Sequence, residues 1–342
     1  MKQAIYKWSV CLLILIIGFL AGILLQSKRI GKNLNQDEST KPVQVSDSTI
    51  SSWNKDIYVI EIRSTADTGI QKAYFYKTRS GQPRPLIVSL HTWSGDYTQT
   101  DELSELCRLQ DLNYIHPDFR GRNSTRDACC SKLVINDIDD AISYAIKNAN
   151  VDTSQIYMIG YSGGGYATLA MFMKSRHSVR KFSAWVPISD LSAWYNESKI
   201  RENGYAGDIL KCTGSENNVL NEMIAREKSP LYWNTPKFKI QGTELMIYAG
   251  VYDGIQGSVP ITQSINFYNK ILKDLSVNEK NKFVSFEEKS KLLEFCSPLG
   301  EFGVISNRKV CLQKSYKGIK LTIFTGNHEI LPEYALNELL GK

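Results

Sequence analysis

From residue 86 onward the chain alternates short, almost wholly apolar runs with longer amphipathic ones. The segments "LIVSL" (86–90), "NYIHP" (113–117), "QIYMIG" (155–160), "FSAWVPI" (182–188), "ELMIYAG" (244–250) and "KLTIFTG" (320–326) predict buried strands. Between the second and third lies "LVINDIDDAISYAIKNA", where Val134, Ile138, Ala141, Ile142 and Ala145 recur every three to four residues. That period predicts an amphipathic helix. Upstream, "DIYVIEIRS" (56–64) and "QKAYFYK" (71–77) alternate apolar with polar and predict a hairpin. Strands alternating with helices imply a mainly parallel sheet covered by helices on both faces, an α/β domain over 51–342. Two stretches interrupt the alternation. Residues 191–242 carry Trp194, Tyr195, Tyr205, Tyr232 and Trp233, and residues 275–318 precede the last strand. Insertions there stand where they can cover the carboxyl ends of the strands, at which open α/β sheets bind ligands, with 191–242 expected as a small cap and 275–318 as a second insertion.

The amino-terminal pattern is different. After a short tail (1–7), residues 8–27, "WSVCLLILIIGFLAGILLQS", contain no charge. As a helix, twenty residues at about 1.5 Å each reach about 30 Å, the apolar thickness of a bilayer. No small-residue cleavage site is evident, which favours a retained transmembrane signal anchor over a cleaved signal peptide. Residues 28–50 are polar and weakly patterned, a tether. The expected location is therefore extracytoplasmic, anchored to the membrane, with secretion after cleavage as the alternative. Basic residues flank the span on both sides, so the positive-inside rule gives no orientation.

Charge removes one class of function. The formal net charge is +6, but Lys2, Lys7, Lys28, Arg29 and Lys32 stand in the first 32 residues with no acid among them. The remainder carries 36 basic against 35 acidic residues, a net of +1, and no basic cluster of the kind nucleic-acid binding needs. Of seven cysteines, Cys11 lies in the apolar span; the other six suit an oxidising compartment, with Cys296 and Cys311 the first pair to test. No CxxC or HExxH pattern suggests a metal, and no cofactor is expected.

Chemistry concentrates at Gly160-Tyr161-Ser162-Gly163-Gly164, a G-x-S-x-G between a strand and a small-residue helix start, "GGYATLAMFM". A strand that must turn into a helix within about one residue holds its serine at an unfavourable φ/ψ and needs neighbours without side chains. The helix amino terminus then presents free N–H groups to a developing oxyanion. A phosphate loop would need a following Lys-Ser/Thr pair, which is absent. Among four histidines, His91 and His116 end early strands, His177 sits in a polar helix end, and His328 follows the last strand. The order serine, acid, histidine selects His328 as base. The acid belongs on the loop after the preceding strand, where Asp253 stands; Asp190 and Asp208 are the competing carboxylates. The expected oxyanion donors are the N–H of Gly163 and that of Trp93, with Thr92 as the alternative. Tyr161, Trp194, Tyr195, Tyr205 and Trp233 are candidate pocket walls, with a role in stacking on sugar rings set against plain cap packing.

These pieces carry a resemblance. "PLIVSLHTWSGD", "HPDFRGRN", "VDTSQIYMIGYSGGGYATLAM", "AWVPISDLSAWY", "KSPLYW", "YDGIQGSVPITQSINFYNKI" and "TGNHEI", spanning about residues 85 to 335, resemble the catalytic domain of the prolyl oligopeptidase family of serine hydrolases. The resemblance implies an α/β-hydrolase fold and a triad of Ser162, Asp253 and His328, and it makes Asp190 a structural strand-end residue. It implies a serine-type peptidase acting through an acyl-enzyme on a peptide. The departures are specific. Family peptidases carry an amino-terminal propeller, whereas about fifty residues separate the apolar span from the first core strand here, too few for two blades. Thr92 stands where many relatives have Gly, and the 275–318 insertion lengthens the Asp-to-His interval. A carboxylesterase or acetylesterase on acylated sugars or small esters is therefore the alternative, and an inactive surface binding module is the alternative of another class.

Overall fold

Each apolar run becomes a strand, and the amphipathic runs become helices laid over them. The computed structural model describes residues 53–342, one compact unit; the anchor and the tether expected before them lie outside the described residues. In chain order come β1 (Tyr58–Arg63), β2 (Ile70–Tyr76), β3 (Arg84–Leu90), α1 (Glu102–Leu109), β4 (Asn113–Pro117), α2 (Lys132–Asn148), β5 (Val151–Tyr161) and α3 (Gly163–Lys174). Then follow β6 (Lys181–Trp185), α4 (Leu191–Ile200), α5 (Tyr205–Cys212), α6 (Glu222–Glu227), β7 (Glu244–Gly250) and α7 (Ile261–Asp274). The chain ends with α8 (Phe286–Phe295), β8 (Val304–Ile305), β9 (Arg308–Tyr316), β10 (Ile319–Phe324) and α9 (Pro332–Leu340). Among the described residues no helix is long and apolar enough to cross a membrane.

The sheet order is β1-β2-β4-β3-β5-β6-β7-β10-β9-β8. The six strands read from apolar runs form its parallel centre, and antiparallel pairs close both edges. Helices α2, α3 and α7 bury one face with residues such as Val134, Leu169 and Ile265. Helices α1 and α9 bury the other with Leu103, Leu336 and Leu339. Ser131 caps α2 by accepting from the Val134 N–H. The chain leaves β3 for β4 on one side, then crosses back to β5 on the other. The loops after β3 and β5 therefore diverge, which opens a crevice at their carboxyl ends.

Three readings need correction. The run "FSAWVPI" stops being strand at Trp185, because Val186 takes φ +42° and its N–H turns to the Tyr248 carbonyl at 2.7 Å. Residues 275–318 do not form a cap. They supply α8, β8 and β9, and β9 pairs antiparallel with β10 to extend the sheet edge. The 191–242 insertion does fold as helices α4 to α6, followed by turns at Pro230–Tyr232 and Lys237–Ile240. A disulfide ties it to the domain, but the pair is Cys129–Cys212, with Cα atoms 6.2 Å apart, rather than Cys296–Cys311, whose thiols are free.

Candidate active site

Strand register brings the chemistry-bearing loops together. Leu90 pairs with Gly160 across β3 and β5, so the loop from His91 to Trp93 emerges beside Ser162. Phe324 pairs with Gly250 across β10 and β7, so the loops carrying Asp253 and His328 leave the sheet side by side. Ser162 sits between β5 and α3 with φ 57° and ψ −120°, a conformation that a non-glycine residue adopts only under constraint. Its N–H donates to the Trp185 carbonyl at 2.9 Å, and its side chain makes no capping bond to its own helix. The flanking glycines are there for close approach. A Cβ on Gly160 would press on the Gly164 main chain, and one on Gly163 would press on the main chain of Thr92 and Trp93. The turn is thus packed against the loop after β3 with no room for a methyl group.

The Asp253 side chain is fully buried, and its Oδ2 lies 2.7 Å from Nδ1 of His328. Its Oδ1 accepts the N–H groups of Gly254 at 2.9 Å and Val259 at 3.0 Å. With a carboxylate facing Nδ1, that nitrogen carries the proton and Nε2 is left with its lone pair. The His328 side chain keeps 20 % of its surface exposed, open to the crevice. Gly257, which sequence reasoning passed over, closes the turn: a Cβ there would stand 2.8 Å from the His328 Cβ and nearer still to Asp253 Oδ1. Its signal was the repeated glycine in "YDGIQGSVP". The competing acids are engaged elsewhere. Asp190 caps α4 by accepting from Ser192 and Ala193 and takes the Tyr232 hydroxyl at 2.8 Å, while Asp208 pairs with Lys211.

The other histidines are held in the fold. His91 nitrogens face the carbonyls of Thr92 and Asp118 at 2.9 and 2.8 Å, which pins the loop after β3. His116 is buried with Nδ1 on the Ser89 carbonyl, and burial lowers it to about 4. His177, expected in solvent, is half-buried against the Asp139 carbonyl and Ser143.

Thr92 and Trp93 can also be told apart. The Thr92 N–H donates to Gln99 Oε1 at 3.0 Å, so it is occupied. The Trp93 N–H has no main-chain or side-chain acceptor among the described residues, and it lies against Gly163. Gly163 is the first residue of α3, so its N–H has no intrahelical acceptor either. Two N–H groups are therefore free beside Ser162, as charge stabilisation at a tetrahedral intermediate requires.

The aromatic candidates divide. Trp194 is 1 % exposed, meets Trp93 edge to face at 4.7 Å, stacks on Tyr205 at 5.0 Å and donates Nε1–H to the Ser258 carbonyl at 2.9 Å. It fastens the cap to the Trp93 loop and to the loop after Asp253. Trp194 and the buried Tyr195 therefore offer no face on which a sugar ring can stack, contrary to the sugar-stacking expectation. Tyr205 is half-buried under the same stack. Tyr161 ends β5 half-buried, beside a small cavity of about 100 Å³ shared with Ile330 and Pro332; burial raises its pKa. Trp233 lines a different and larger cavity, which none of Ser162, Asp253 and His328 reaches.

A family model described as the prolyl oligopeptidase family matches residues 106–286, just over half of the chain. The match includes Ser162 and Asp253 and stops before His328. No curated protein sequence matches the chain significantly. Solved structures do. Acylaminoacyl peptidase of Pyrococcus horikoshii superposes with a TM-score of 0.55 at 17 % identity, covering 83 % of this chain and 40 % of that one. A puromycin-hydrolyzing peptidase of Mycobacterium tuberculosis gives 0.54 at 13 %, covering 83 % and 37 %. Prolyl oligopeptidase B of Galerina marginata gives 0.51 at 15 %, covering 65 % and 32 %. At these identities the likeness is one of fold, and this chain spans less than half the length of each of the three.

Proposed function

Because the chain belongs to the prolyl oligopeptidase family, we propose that it is a serine hydrolase that cleaves acyl bonds through a covalent intermediate on Ser162. His328 Nε2 takes the Ser162 hydroxyl proton as Oγ attacks the substrate carbonyl carbon. The carbonyl oxygen becomes the oxyanion and accepts from the Gly163 and Trp93 N–H groups. Asp253 holds the ring with Nδ1 protonated and stabilises the imidazolium as it forms. The carbon–leaving-group bond then breaks, and the leaving group carries away the proton from Nε2. Water, deprotonated by the same nitrogen, attacks the acyl-enzyme; the acid product leaves and Ser162 regains its proton. The observation that carries this reading is the buried carboxylate of Asp253 at 2.7 Å from His328 Nδ1, together with the strained turn that holds Ser162 at the carboxyl end of β5 in the same sheet.

The family favours a peptide as substrate, and one solved relative is an acylaminoacyl peptidase bound to a peptide chloromethyl ketone, Z-Gly-Gly-Phe-chloromethyl ketone. The same acyl chemistry serves a carboxylesterase on small acyl esters. A panel of aminoacyl and peptidyl amides set against p-nitrophenyl esters and acetylated sugars separates the two. Turnover of the amides, lost in Ser162→Ala and His328→Ala, is the expected result. Turnover of esters alone replaces peptidase with esterase, and no turnover of either removes the enzymatic reading in favour of a binding module. We propose further that residues 8–27 anchor the domain outside the cytoplasm; a mature amino terminus near residue 27 would overturn that.

A further inference from the structure

A cavity of about 1190 Å³ lies between the amino end of α2, the carboxyl end of α3 and helix α6. Five cationic side chains line it, those of Arg126, Lys132, Lys174, Arg226 and Lys228, and the acid on its wall is Glu227. None of the five forms an ion pair among the described residues. What sets them apart is that they share one cavity; elsewhere some cations are paired, as Arg120 is with Asp67 and Asp137 and Arg176 with Asp140. Like charges sharing one cavity repel each other, and a chain nearly neutral outside its first 32 residues has no general surplus to explain them.

The cations are also held in position. Lys228 is 9 % exposed, and its ammonium donates to the carbonyls of Arg126 at 2.6 Å and Ala128 at 3.0 Å. That leaves one of its three donors for a ligand. The Arg126 guanidinium rests on Gly214, where a Cβ would stand 2.6 Å from its Nε. The Cys129–Cys212 disulfide ties these two segments together. Lys174 lies over the Trp233 ring at 5.2 Å and Arg226 over the Tyr232 ring at 4.9 Å. Helix α2 adds to the same sign: its first turn contains no acid and opens with Lys132. Leu133, Ile135, Met223 and Ile224 supply an apolar wall.

We propose that this cavity binds a small organic polyanion, a molecule with several phosphate or carboxylate groups on a compact body, at a site distinct from the one built on Ser162. Five unpaired cations call for more than one anionic group, and a volume of about 1190 Å³ exceeds that of a lone phosphate ion. The site does not depend on the hydrolase reading. Asp127 and Glu227 are the carboxylates that act on Lys228, and Glu222 and Asp190 act at Tyr232 under Arg226; of these four only Glu227 lines the cavity.

The test is calorimetric titration of the full chain with inorganic tripolyphosphate at low ionic strength, with orthophosphate alongside. Saturable binding of tripolyphosphate at one site is expected, tighter than orthophosphate and unchanged in Ser162→Ala. Lys174 and Arg226 are exposed, so the double variant Lys174→Ala/Arg226→Ala folds, and it is expected to bind about tenfold more weakly or worse. An unchanged melting temperature checks the fold. Absence of saturable heat overturns the proposal, as does tripolyphosphate affinity that the double variant leaves intact.

Discussion

Replacing Gly163 by alanine tests the packing that sets up the reaction centre. The added methyl would stand 2.8 Å from the carbonyl carbon of Thr92 and nearer still to N and Cα of Trp93, whereas ordinary contact begins at 3.4 Å. All three neighbours are main-chain atoms, so no side chain can rotate away. The turn and the Trp93 loop must part by roughly half an ångström or more, at a cost in stability of about 1–3 kcal/mol. The same movement displaces both proposed oxyanion donors. Loss of one such donor lowers kcat by about 10²–10³-fold. The expectation for Gly163→Ala is therefore a folded protein whose kcat falls by about 10²-fold or more with KM little changed, because the lost interaction belongs to the transition state. The assay is steady-state turnover of a chromogenic ester or amide, with the melting temperature measured on the same preparation. Gly207→Ala is the control: its Cβ meets open space on the exposed side of α5, and it should raise stability by about 0.5–1 kcal/mol with kcat untouched. A folded Gly163→Ala enzyme with kcat within about threefold of wild type refutes the argument.

Three further outcomes follow from separate parts of the molecule. Cys129→Ala/Cys212→Ala opens an 83-residue loop and should cost about 4 kcal/mol in urea unfolding; an unchanged midpoint would mean the bond does not form in solution. Trp194→Phe keeps most of the packing but removes the Nε1–H bond to Ser258, so about 1 kcal/mol of stability should go, with a fall in kcat from loosening beside Asp253; unchanged kcat would confine Trp194 to cap stability. His116 supplies a pH test. Its folded pKa of about 4 lies below the ordinary 6.5, since burial outweighs Asp101 at 3.9 Å, whose carboxylate is engaged by Ser89 and Tyr114. The folded state therefore binds fewer protons, so the contribution is complete above pH 6.5 and is lost as pH falls toward 4, by about 3 kcal/mol in all. His116→Phe should flatten that part of the stability profile, and parallel profiles for the two proteins would sink the assignment.

The parallel centre was readable because buried strands write themselves as short apolar runs, and all six were found. The contact between Asp253 and His328 was readable from chain order, because both stand on loops that follow strands and the order serine, acid, histidine limits the candidates. What escaped was decided by contacts distant in sequence. Strand β9 lies toward the sheet edge and buries only part of its length, so its alternation is broken and residues 275–318 read as an insertion rather than as part of the sheet. The disulfide was one of fifteen pairings, and neither Cys129 nor Cys212 carries local geometry that selects the other. Composition left Trp194 open between substrate platform and cap packing, because it shows an aromatic residue and not its burial; Ser258, Trp93 and Tyr205 decide for packing from three other segments. Trp93 was preferred to Thr92 from the sequence without a contact to support it; the structure adds that Gln99 occupies the Thr92 N–H.

The central claim is that Ser162 is an activated nucleophile. Exposure of the full-length protein to a fluorophosphonate, followed by mass mapping of the adduct, tests it most directly. The expected result is a single adduct on Ser162, absent in Ser162→Ala and sharply slowed in His328→Ala. An unlabelled native protein, or equal labelling of Ser162→Ala, would contradict it.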